Sequence, residues 1–198
     1  DSSYLVKEAY QLYYDEPIPA YSDTILNAFI PFRDFCVSKL LLLSRDDRTY
    51  YPLKNGTYRN DLNELIYLYL DDIFNGYEDL RHLFDRYFDL MYSFSNFMPV
   101  PACFNGTKTR KGKGDWRLNK DYPSMYLKNL NDENSQICNR IENKQWLDEN
   151  MEKYKVKAMY SLQPPYDINE YYGNNDDKLD MLKEFIMQAI KLIENRLK

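Results

Sequence analysis

The one histidine of the chain, His82, stands in YEDLRHLFDRYFDLMY, with Glu78 four residues before it and Asp85 and Asp89 three and seven residues after. On a helix each residue advances by about 100°, so these four positions fall within about 40° of one line. An imidazole flanked by carboxylates is a donor set for a divalent metal. The same spacing also describes a solvated helix face: Leu80, Leu83, Phe84, Tyr87 and Met91 occupy the other side, and Arg81 and Arg86 sit at pairing distance from Asp85 and Asp89. Asp71 and Asp72, at the end of the preceding segment, can add one carboxylate at most, because adjacent helical residues point about 100° apart. Dinuclear carboxylate bundles need matching Glu-x-x-His helices, and a single histidine cannot supply them. The surface-face reading is therefore preferred, with Glu78, His82, Asp85 and Asp89 as the metal candidates.

The second constellation is cationic. From Lys108 to Lys120 the chain carries Lys108, Arg110, Lys111, Lys113, Arg117 and Lys120 against Asp115 alone, a local excess of +5 in a protein of net charge −5. Glycines let backbone N–H groups approach an anion closely, lysines and arginines supply charge, and Trp116 offers a stacking face. Lys108, Arg110, Lys111, Lys113, Trp116 and Arg117 are thus the candidate residues for a phosphate ligand or nucleic acid. The stretch is not a P-loop: five residues separate Gly106 from Gly112, and Gly114 follows Lys113 where a metal-binding hydroxyl belongs. An acidic whole also argues against general nucleic-acid binding, which draws on phosphate neutralisation. The competing reading is a solvated basic loop with no ligand.

Nucleophilic catalysis finds little support, since a Ser or Cys nucleophile needs a nearby base and His82 is the sole imidazole. Cys36, Cys103 and Cys138 are odd in number, widely spaced and without a CxxC pair, as expected of reduced cytosolic thiols. Cys103, just after Pro99 and Pro101 in the irregular stretch, is the most plausible exposed thiol among them. Two N-x-Thr sequons, at Asn55 and Asn105, are equally explained as Asn-Gly turns. The longest apolar run, Leu40 to Leu43, is far short of the roughly 20 residues that cross a bilayer. No signal peptide, membrane partner or cofactor is expected.

The elements that must position these groups read as helices. With 44% hydrophobic and 29% charged residues the chain lies far from the composition of disorder. Ser2 to Tyr14 predicts a first helix, stopped before Pro17 and Pro19. Ser22 or Asp23 should cap a second, Thr24 to Leu43, apolar almost all round and kinked or split at Pro31. Tyr50 to Tyr58 allows a short β-ribbon across Asn55-Gly56. Leu62 to Phe74, ended by Asn75-Gly76, and Tyr77 to Ser95 should form an αα-hairpin.

Residues 96–121 read as one long loop holding three of the six glycines and two of the nine prolines. Loops beyond about 12–15 residues are uncommon unless functional or disordered. Phe97 to Val100 should anchor its start in the core. Tyr122-Pro123 opens a further helix, Glu133 to Tyr154 reads as a surface helix, and Val156 to Tyr172 as extended chain. Asp176 to Leu197 closes the sequence with the cleanest amphipathic stripe: Leu179, Leu182, Phe185, Ile186, Ala189, Ile190, Ile193 and Leu197. The fold class expected is mostly α: one compact domain over 1–198, about seven helices, and at most a short ribbon near 50–58.

Asn96-Phe97-Met98-Pro99, the basic stretch after it and Asp121-Tyr122 before a short helix resemble a family of uncharacterised bacterial, mostly helical proteins. The resemblance implies a bacterial, cytosolic, mostly α protein and brings neither an activity nor a catalytic residue. Twenty tyrosines, each a large apolar ring with a hydroxyl that wants a partner, suit interfaces, although AT-rich coding explains them equally. The leading expectation is a cytoplasmic, non-enzymatic interaction protein that binds a protein partner or itself. A nucleic-acid or phosphate-ligand binder stands second, and a metal-dependent or hydrolytic enzyme third.

Overall fold

A computed structural model describes residues 8, 11–12, 21–46, 66–101, 104, 122–135, 137, 139–165 and 176–198. The chain is mostly α with one two-stranded antiparallel ribbon among the described residues. Its elements are β1 (Tyr21–Thr24), α1 (Phe29–Asp46), the single turn α2 (Leu70–Ile73), α3 (Glu78–Met91), a 3-10 turn (Phe94–Asn96), β2 (Phe97–Val100), α4 (Pro123–Asn131), α5 (Arg140–Asn150), α6 (Lys157–Ser161) and α7 (Asp176–Asn195). Glu8, Gln11 and Leu12 are helical, while the rest of the expected first helix, the ribbon expected at 50–58 and residues 62–65 lie outside the described residues.

The ribbon joins two distant stretches, Tyr21 facing Val100 and Thr24 facing Phe97. It corrects two expectations at once: Ser22 and Asp23 are strand residues rather than helix caps, and the supposed long loop begins as a strand. Pro99 is tolerated because a two-stranded ribbon has only edges, where a missing N–H breaks no inner ladder. Met98 and Val100 are buried, so the stretch does anchor in the core. Helix α1 starts only at Phe29, whose N–H donates to Asn27 Oδ1 at 2.8 Å. Pro31 therefore falls in its first turn, where no intrahelical donor is lost, and the helix is not split there.

Helix α3 buries Leu80, Phe84, Tyr87 and Met91, one stripe at helical spacing. Its principal partner is α7, which buries Leu182, Ile186, Ala189 and Ile193; the small Ala189 lets the two axes approach. The segment ending at Phe74, the hairpin partner expected from sequence, packs on α1 and also meets α3, where Phe74 lies 6.2 Å from Phe84. Gly76 ends that segment at φ +78°, a left-handed position that suits glycine. Rings fill the joint: Phe32 lies 5.2 Å from Phe84 and 5.1 Å from Phe88, and Phe35 5.1 Å from Phe74.

The second half repeats the device. Phe104 packs edge-on against Tyr126 at 5.2 Å and Trp146 at 5.8 Å, and Trp146 stacks on Tyr154 at 5.9 Å. Helix α4 starts at Pro123 as expected. The long surface helix expected from Glu133 to Tyr154 is shorter, because Asn139 adopts φ +50° and α5 begins after it. Where extended chain was expected after Val156, the short helix α6 intervenes before Pro164 and Pro165.

Candidate functional site

Of the residues singled out for chemistry, Lys108, Arg110, Lys111, Lys113, Trp116 and Arg117 lie outside the described residues, as do Cys103 and Cys138. Cys36 is buried on α1, and burial pushes its thiol far above the ordinary range, which suppresses the reactive thiolate. Glu78, His82, Asp85 and Asp89 all face solvent on α3. Among the described residues no three His, Cys, Asp or Glu side chains gather as a metal would require. Glu78 instead turns back on its own helix start: Oε1 accepts the Gly76 N–H at 3.0 Å, and backbone N–H groups, its own and that of Gly76, hold its carboxyl below the usual range.

The arginines do not pair along α3 as the spacing suggested. Arg81 Nη1 reaches Asp71 Oδ1 at 2.7 Å, and Arg86 Nη2 crosses to Glu194 Oε1 on α7 at 2.5 Å. Partners on other elements win because they brace α3 from both sides. Asp85 and Asp89 are left exposed, with no ion pair among the described residues.

Among the described residues, a groove of about 910 Å³ runs between α7 and the wall made by α6 and Pro164-Pro165. On α7 it is lined by Met181, Phe185, Gln188, Leu192 and Asn195. Their spacing of four, three, four and three places them on one line, about 21 Å long from the helical rise. Met159, buried, and Leu162, half-buried, form the facing floor with Phe185. The rim is polar: Gln188 donates to Glu184 at 3.0 Å, and Gln163 Nε2 donates to the Ser161 carbonyl at 3.0 Å.

One end of the groove is cationic. Lys155 and Lys191 are exposed there, and neither ammonium has an ion-pair partner among the described residues. The position of Lys155 is enforced by backbone. It closes α5 in a Schellman turn, with its N–H on Glu152 O at 3.1 Å and the Val156 N–H on Met151 O at 2.9 Å, and its own φ is +53°. A lysine in that left-handed position is strained where glycine would not be.

Arg196 fixes the same end from beneath. It is buried, donating from Nε to Tyr154 O at 2.8 Å and from Nη1 to Ser95 O at 3.0 Å and Phe97 O at 2.5 Å. It thereby ties the end of α7 to the α5 terminus and the ribbon. Sequence reading missed this groove. The five-residue α6 is too short to show a period, whereas the Met181-Phe185-Gln188-Leu192 line was legible but overshadowed by the stronger core stripe one face away. No protein-family model, curated protein or solved structure matches the chain.

Proposed function

We propose that this chain is a non-enzymatic interaction protein of the cytoplasm, and that the groove between α6 and α7 receives a protein partner. The observation that carries the reading is the groove's composition: an apolar floor of Met159, Phe185 and Leu192 under a rim of amides and charges. Interfaces share that anatomy, an apolar centre that excludes water inside a polar margin that fixes register. A methionine-containing floor adapts to aromatic and aliphatic side chains alike. Nor does any described helix have the length and apolarity to cross a membrane.

A photoreactive phenylalanine analogue placed at Met181, half-exposed at the groove mouth, tests the reading in living cells. A protease-sensitive adduct is expected, and filling the groove with Ala158→Trp should abolish it. An adduct destroyed by nuclease instead would favour the rival reading, nucleic-acid binding through Lys108, Arg110, Lys111, Lys113, Trp116 and Arg117. No adduct at all would overturn the assignment of this groove.

A further inference from the structure

The molecule carries a second exposed feature whose chemistry is the reverse of the groove's. Phe29, half-exposed at the start of α1, packs edge-on against Phe88 of α3 at 5.2 Å. One turn beyond Phe88 stands Tyr92, 66% exposed. Asp85 and Asp89 flank these rings, since positions 85, 88, 89 and 92 share about 100° of the helix circumference. Because Arg81 is held by Asp71 and Arg86 by Glu194, both carboxylates project without a counter-ion among the described residues. The corner is therefore a group of three rings edged by two carboxylates, while the groove is an apolar floor ended by the ammonium groups of Lys155 and Lys191, all four charges without an ion pair among the described residues.

We propose that the groove's occupant is a second copy of this chain, entered by the aromatic corner of Phe29, Phe88 and Tyr92, with Asp85 and Asp89 meeting Lys155 and Lys191. The proposal rests on the groove being a partner-binding face and names the partner. Charge complementarity of this kind fixes register and suppresses wrong pairings. The two surfaces cannot meet within one molecule. Glu194, which faces α3 through Arg86, lies about 140° around α7 from Met181, so α3 flanks α7 on the side away from the groove. Two different surfaces in contact make a heterologous interface, which adds copies head to tail rather than closing a two-fold dimer. The strained backbone of Lys155 fits the same role, because it holds an ammonium at the groove end where a relaxed glycine would leave none.

Sedimentation velocity over a series of protein concentrations tests this with the whole chain. The average mass should rise with concentration for the native protein and more steeply at low salt. Lys155→Glu with Lys191→Glu, and separately Asp85→Lys with Asp89→Lys, should each weaken association by about tenfold or more. Mixing the two double variants should restore it, because each then presents the charge that the other lacks; restoration also rules out misfolding as the cause of the loss. A native chain that stays monomeric throughout overturns the proposal, as do reversals without effect or a mixture that does not recover. If the protein is monomeric yet the photoreactive analogue at Met181 captures a different polypeptide, the self-pairing fails while the groove's assignment stands.

Discussion

Asn96 is fully buried and every polar atom of its side chain is engaged: Nδ2 donates to Leu26 O at 2.7 Å and to Met91 O at 2.9 Å, and Oδ1 accepts the Leu26 N–H at 3.0 Å. Its backbone carbonyl takes the Ile25 N–H at 2.8 Å as well. One side chain thus satisfies the chain between β1 and α1 and closes the end of α3, where no regular ladder reaches. Asn96→Ala should cost about 3 kcal/mol, since three buried backbone groups lose their partners together. Urea denaturation followed by tryptophan fluorescence checks it, and a midpoint within error of the native value would count against the role. Asn96→Asp should be no better, because a carboxylate cannot donate to two carbonyls. Sequence reading placed Asn96 in a loop; an asparagine beside a proline-containing stretch gives no sign that its amide closes contacts 70 residues away.

Among the elements, α3 and α7 were legible because each carries a long apolar stripe of one period, and their burial follows it. Short or two-faced elements were not. The strand Phe97–Val100 contains a proline and only four residues, and its partner Tyr21–Thr24 includes Ser22 and Asp23, which read locally as caps. Pairing between them is a long-range event that neither segment encodes alone. The Schellman turn at Tyr154-Lys155-Val156 was hidden for a related reason, since lysine there contradicts the glycine signal. Lys155→Gly should therefore stabilise the fold by about 1 kcal/mol through relief of the left-handed strain, raising the thermal midpoint in calorimetry. The same substitution should weaken self-association, because it removes one of the two groove cations.

At the scale of the whole molecule, most of the described tyrosines turn inward rather than outward. Tyr87, Tyr122, Tyr126, Tyr154 and Tyr160 are buried, whereas Tyr67 and Tyr92 are exposed. Burial is the main cause that raises the Tyr87, Tyr126 and Tyr160 phenols above their ordinary value of 10.0, and the Asp23 carboxylate adds to it at Tyr126 and Tyr160. Neutral phenols are favoured by the fold, so their contribution is complete below pH 10.0 and is lost as pH climbs above it, where the unfolded chain ionises first. Each such group should steepen the decline by about 1.4 kcal/mol per pH unit. Urea midpoints measured from pH 9 upward should fall, and Tyr87→Phe or Tyr160→Phe should each flatten the slope by that amount.

Local pattern determined the class of this protein: helical periodicity, the glycine after Phe74, the proline opening α4 and the acidic start of the last helix act through neighbours in sequence. Tertiary structure alone decided which of the two lines on α7 meets the core and which borders a groove, where Arg81 and Arg86 find their carboxylates, and that Arg196 ties together Tyr154, Ser95 and Phe97. Those choices depend on side chains brought together from distant parts of the chain, where burial and the demand for hydrogen-bond partners act across space and leave no period to read.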